Sequence, residues 1–144
     1  MIQGLLCGDV NSIKTSDDFA RLWVHECMRV FHDRLVDTID KQWFMKSIES
    51  YTNRLLKLDW MTVNRSAVLC YVDFMNPGSD IKLYTEVTDI RKAVKIIEDY
   101  MDEYNATNTS HLKLVLFMDA VSHLTRICRI IRQPGGHGKH FLYV

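Results

Sequence analysis

The sequence predicts a mainly α chain in which helices are joined by a connector carrying short strand, and three observations lead there. Apolar residues recur at helical spacing through four long stretches. Hydroxyl or acidic residues suited to capping stand where three of those stretches begin. The turn-forming string Asn76-Pro77-Gly78-Ser79 breaks the pattern near the middle.

The first long helix is expected over residues 17 to 36. It follows Ser16-Asp17-Asp18 and carries Phe19, Trp23, Cys27, Val30, Phe31 and Leu35 on one stripe. A second is expected from Asp40 to about residue 57, with Trp43, Phe44, Ile48 and Tyr51 facing inward and Leu55 and Leu56 extending it. The run from Val68 to Phe74 reads as strand or extended linker and stops at the Asn-Pro-Gly-Ser turn. Leu83 to Val87 alternates apolar and polar. Thr88-Asp89 then opens a helix over 89 to 104 bearing Ile90, Ala93, Val94, Ile97, Tyr100, Met101 and Tyr104. After the polar stretch Asn105 to Ser110, a last helix is expected over 111 to 132. Arg126, Arg129 and Arg132 load its final turns, where the helix dipole favours positive charge, and Pro134-Gly135-Gly136 ends it.

Composition is that of a globular chain of one-domain size: 144 residues, 47% hydrophobic and 25% charged, with two prolines and six glycines. Lys plus Arg and Asp plus Glu both number 18, so no net field steers the chain toward nucleic acid or an acidic membrane surface. No apolar run approaches the ~18 residues of a membrane span, and the opening Met1 to Asp9 lacks the basic flank and apolar run of a signal peptide. The expected location is the cytoplasm. Cys7, Cys27, Cys70 and Cys128 form no CxxC pair, which fits free thiols in a reducing compartment. The sequons at Asn105 and Asn108 carry no chemistry in that setting.

His25-Glu26-Cys27 and His32 suggest a metal or catalytic site, yet the zinc signature HExxH needs histidine at position 29, where Arg29 stands. His25 and His32 lie two turns apart on one face, too far to share an ion without a third element. The competing reading is a charged helical face, with Arg29 near Glu26 at i,i+3 and near Asp33 at i,i+4. Cysteine nucleophile chemistry needs Cys27 outside the core, and its place on the apolar stripe argues against that. An independent small enzyme or metal-binding protein built on His25, Glu26 and Cys27 is kept as the alternative reading.

Several strings, in their order, carry a resemblance. Leu22-Trp23-Val24-His25-Glu26-Cys27-Met28-Arg29-Val30-Phe31-His32-Asp33-Arg34-Leu35, with Asp40-Lys41-Gln42-Trp43-Phe44 after it, resembles the lid subdomain of the third AAA+ module in dynein heavy chains. Leu114 to Ile127, running on to Gln133-Pro134-Gly135-Gly136-His137, resembles the lead-in to the fourth module; Tyr84 to Val87 and Tyr100 to Asn105 match the connector between them. The flavour is axonemal, of inner-arm type. The opening Ile2 to Leu6 resembles the helix that follows the third module's large subdomain.

The resemblance implies a helical AAA+ lid over residues 1–75, a connector and lead-in helices over 76–138, and a divergent tail over 139–144. It implies a part in microtubule-based ciliary movement, with neighbouring AAA+ modules as partners, microtubules reached only through the full motor, and the axoneme as the location. It implies ATP and magnesium in the intact motor. Arg21, Arg29 and Arg34 are then candidates for sensing nucleotide, and Leu114, Val115, Leu116 and Phe117 for the adenine side of the next module's site. In the family a phosphate loop comes after the Pro-x-Gly-His string, whereas here Gly138-Lys139-His140 comes next, and no GxxxxGK[ST] occurs in the sequence. The chain by itself is accordingly expected to hold no cofactor and to act as no enzyme.

Overall fold

The computed structural model describes residues 1–65, 68–133 and 135–136. Pro134, expected to end the last helix, and the tail over 139–144 lie outside the described residues. The chain divides into two compact units, Met1–Tyr71 and Val72–Val144, and each is described by itself.

In the first unit helix α1, Ile2–Leu6, packs on α2, Ser16–Val30, which organises the rest. The start of α2 is fixed by a capping box, with Thr15 rather than Ser16 as the cap. The Thr15 hydroxyl accepts from the Asp18 amide while the Asp18 carboxylate accepts from the Thr15 amide, satisfying two donors that would otherwise lack partners. From Ala20 to Cys27 every residue except half-buried Trp23 is buried, so α2 is enclosed on nearly all sides. Phe19 is exposed, contrary to the expected stripe. Ala20, Val24 and Cys27 join Ile48, Trp60 and Val63 in the core, with Phe44, Met45, Leu58 and Leu69 packed around them.

Helix α2 ends sooner than its periodicity suggests. After Val30 the backbone tightens into a 3-10 turn over His32–Arg34, and Leu35 is extended. The rings of Phe31 and His32 stand 6.4 and 5.8 Å from that of Phe44, and this packing prevails over the helical spacing of Leu35.

Helix α3, Thr38–Tyr51, starts ahead of Asp40 because Asp37 caps it, its carboxylate accepting from the Ile39 amide at 2.6 Å. Its inward face is Phe44, Met45 and Ile48, continuing to Thr52, which follows the i, i+4 rule. Trp43, 68% exposed, and Tyr51 point outward, correcting the expected inward set. The helix then widens into a π turn over Thr52–Leu56 and closes at Lys57, whose φ of 55° is left-handed. Asp59 caps the short α4, Trp60–Val63, which returns Trp60 and Val63 to the core.

Around the start of the second unit, strand is shorter than the sequence suggests: β1, Tyr71–Val72, pairs with β2, Thr85–Glu86. Between them the expected turn is present. Gly78 adopts φ of 75°, which the third residue of such a turn requires, and the Ser79 amide donates to the Asn76 carbonyl. Helix α5, Ile90–Thr107, is capped by Asp89 and buries Ala93 and Ile96, with Ile90, Val94, Ile97 and Met101 half-buried beside them.

The last helix, α6, spans Met118–Arg132, so residues 111 to 117 are not helical as expected. The cause lies at Asn105. Its side-chain amide donates to the Leu112 carbonyl at 2.9 Å and accepts from the Leu112 amide at 2.7 Å. The carbonyl that a helix starting at His111 would use at Leu112 is thereby engaged, and the Leu112 amide is held by the same side chain. At the other end of α6, Arg132 binds Asp73 at 2.8 Å and lies over the Tyr84 ring, 5.8 Å from its centre. Among the described residues no helix is long and apolar enough to cross a membrane.

Candidate functional site

The three arginines expected to sense nucleotide are held in three different ways. Arg21 is fully buried, and its guanidinium donates to the carbonyl of Val63. Arg29 pairs with Asp33 at 3.2 Å, as the i,i+4 spacing predicts. Arg34 lies exposed on the 3-10 turn after α2. Arg29 therefore lies in the last turn of α2 and Arg34 on the turn that follows it, while Arg21 is directed into the unit.

His25 and Glu26 are also buried, which overturns the reading of Glu26 as part of a charged outer face. His25 Nδ1 stands 3.2 Å from the Leu69 carbonyl, so the ring carries a proton there and donates. The ring also tilts against Tyr71 with centres 5.2 Å apart. Its Nε2 is 3.9 Å from Glu26 Oε1. The Glu26 carboxylate lies directly against Gly4 of α1, where a Cβ would overlap it. Gly4 was the one available signal: a glycine inside a helix marks a close approach, and here the group approaching is a buried acid.

Cys27 is buried, with Sγ 3.5 Å from the Met1 sulfur. Burial, reinforced by the neighbouring Glu26 charge, pushes its thiol up to about 11. A nucleophilic or metal-binding cysteine needs the opposite shift. Burial likewise raises the Cys128 thiol, and it lowers His32 despite the adjacent Asp33. Among the described residues no group of three His, Cys, Asp or Glu side chains could hold a metal. The alternative of an enzyme or metal protein built on His25, Glu26 and Cys27 gains no support from this geometry.

In the second unit, Leu114, Val115 and Phe117 are exposed and Leu116 is half-buried, all in the non-helical stretch ahead of α6. The first turns of α6 add Asp119, Ser122, His123 and Arg126, which with Phe117 line an open groove of about 420 Å³. The expected adenine-side residues are thus on the surface beside polar and cationic side chains.

A small helical unit wrapped around one enclosed helix is the form that a resemblance to an AAA+ lid implies, and residues 1–61 match the family described as the AAA+ lid domain. Residues 112–142 match the family described as the P-loop containing dynein motor region D4. The chain is 41% identical to human dynein axonemal heavy chain 1, the alignment covering 95% of this chain and 3% of that protein. It is 37% identical to human dynein axonemal heavy chain 6 over 94% of this chain and 3% of that one. With mouse dynein axonemal heavy chain 3 the identity is 34%, covering 95% and 4%. The chain belongs to the dynein heavy chain family, on the axonemal side. It spans only 3 to 4% of the length of these relatives.

Proposed function

We propose that this chain serves as a lid and transmission segment of an axonemal dynein motor of inner-arm type. In this reading residues 1–75 are the lid of the third AAA+ module, and residues 76–138 lead into the fourth. Its partners are the neighbouring AAA+ modules, its setting is the ciliary axoneme, and it reaches microtubules only through the full motor. The observation that carries the reading is the match of residues 1–61 to the AAA+ lid family within an alignment to axonemal heavy chains covering 95% of the chain.

ATP and magnesium belong, on this proposal, to the intact motor. Nucleotide contact falls to Arg34, exposed on the turn after α2, and to Arg29, which would exchange its Asp33 partner for phosphate, whereas Arg21 is fully buried inside the unit. Leu114 to Phe117 supply apolar surface for the adenine side of the following module, a role supported by the exposure of Leu114, Val115 and Phe117. In the intact motor, removing the charges of Arg29 and Arg34 should weaken ATP affinity at the third module, and unchanged affinity would remove them from this role.

The 144 residues alone should neither hydrolyse nor measurably bind ATP. Phosphate binding in this class rests on a Gly-rich backbone cradle, a lysine and a Mg²⁺-binding hydroxyl. The only Gly-Lys pair in the sequence, Gly138-Lys139, is followed by His140. Apolar stacking without held phosphates gives at best millimolar affinity, about 4 kcal/mol. Calorimetric titration with Mg·ATP and a phosphate-release assay test this. Micromolar binding or steady turnover would overturn the reading.

A further inference from the structure

A fully buried arginine is costly unless its N–H groups find acceptors. Arg21 meets the carbonyl of Val63, the last residue of α4, where helix geometry leaves carbonyls unpaired. One turn along the same face of α2, His25 meets the carbonyl of Leu69 through Nδ1 at 3.2 Å. The same imidazole lies against Tyr71, the last residue of the unit. Three points near the end of the unit, at 63, 69 and 71, are therefore fixed to two side chains of one helix. The two hydrogen bonds join residues 42 and 44 positions apart, so they are tertiary ties rather than local turns.

We propose that Arg21 and His25 are positioning residues that latch Val63, Leu69 and Tyr71 to α2. A displacement of α2 that accompanies nucleotide binding is carried through the latch to the residues by which the chain leaves the unit. This rests on the lid reading above. It explains why two of the three buried polar side chains of α2, Arg21 and His25, stand where apolar ones would pack at lower cost. It also gives Arg21 a role that does not require it to touch phosphate.

Two hydrogen-exchange measurements test the latch. In the 144-residue chain, His25→Phe keeps a ring beside Tyr71 but loses the donor to Leu69. Exchange in peptides covering 68–73 should rise about tenfold while α3 stays protected; exchange equal to the wild type overturns the proposal. Should His25→Phe unfold the chain altogether, His25→Asn decides, because its Nδ2 lies as many bonds from Cβ as the imidazole Nδ1. Wild-type protection over 68–73 in His25→Asn supports the latch, and loss of that protection or global unfolding overturns it. In an intact dynein heavy chain carrying this segment, Mg·ATP should alter exchange over 68–73 in the wild type and not in His25→Phe. An equal response in both overturns the latch and leaves the lid reading standing. No response in the wild type overturns the lid reading, and the latch falls with it.

Discussion

Gly4 and Glu26 show how much rests on single atoms in the first unit. The acid is fully buried, and the space a methyl group would need at position 4 is already filled by its carboxylate. Gly4→Ala should therefore destabilise the chain by about 1–3 kcal/mol, the usual cost of overpacking, measured as a lower urea midpoint. Cys27 offers a second test. Its thiol is raised from 9.0 to about 11 by burial first and Glu26 second. Between those values the unfolded chain has lost the proton that the folded chain keeps, so stability should fall as pH rises from about 9 to about 11. Cys27→Ala should flatten that alkaline slope in urea titrations at stepped pH. At this scale the sequence was partly legible. The Arg29–Asp33 pair was read from i,i+4 spacing, and it forms although Asp33 stands on the 3-10 turn after α2, because four residues of tight right-handed backbone still bring the two side chains together. Glu26 was misplaced for the complementary reason: its burial involves α1, and no spacing within α2 reports what another helix covers.

Elements were legible where the signal was local. Polar residues suited to capping announced α2 and α5 to within a residue, and the Asn-Pro-Gly-Ser turn formed with Gly78 in the conformation such a turn requires. Boundaries failed where side chains from elsewhere intervened. Helix α2 stops short because Phe31 and His32 turn toward Phe44, and α6 starts late because Asn105 holds both backbone groups of Leu112. The capping box of α2 makes a prediction at this scale. Thr15→Ala removes the acceptor for the Asp18 amide and should cost about 1 kcal/mol in thermal or urea unfolding. The Thr15 hydroxyl also holds the Asp18 carboxyl below its ordinary 3.8. A lowered acid contributes stability above its unfolded pKa and loses it as pH falls through the folded one. The penalty of Thr15→Ala should therefore shrink as pH falls below 3.8.

For the whole molecule, the division into two units places the exposed turn residues Asn76 to Gly78 early in the second. Limited proteolysis should cut first between Met75 and Lys82, leaving the long helices intact, and an initial cut within α2 or α5 would contradict that. Family and helical class were legible because motif strings survive in sequence order. The ties that close each unit were not, because Val63, Leu69 and Asp73 take part through a carbonyl or a carboxylate whose partner lies dozens of residues away. The bond from Arg132 to Asp73 closes the second unit across 59 residues. Tension drawn along the chain from Asp73 to Arg132 travels first through that ion pair. Helices α5 and α6, with the stretch between them, then hang as slack outside the line of force, taking up load only after the pair gives way.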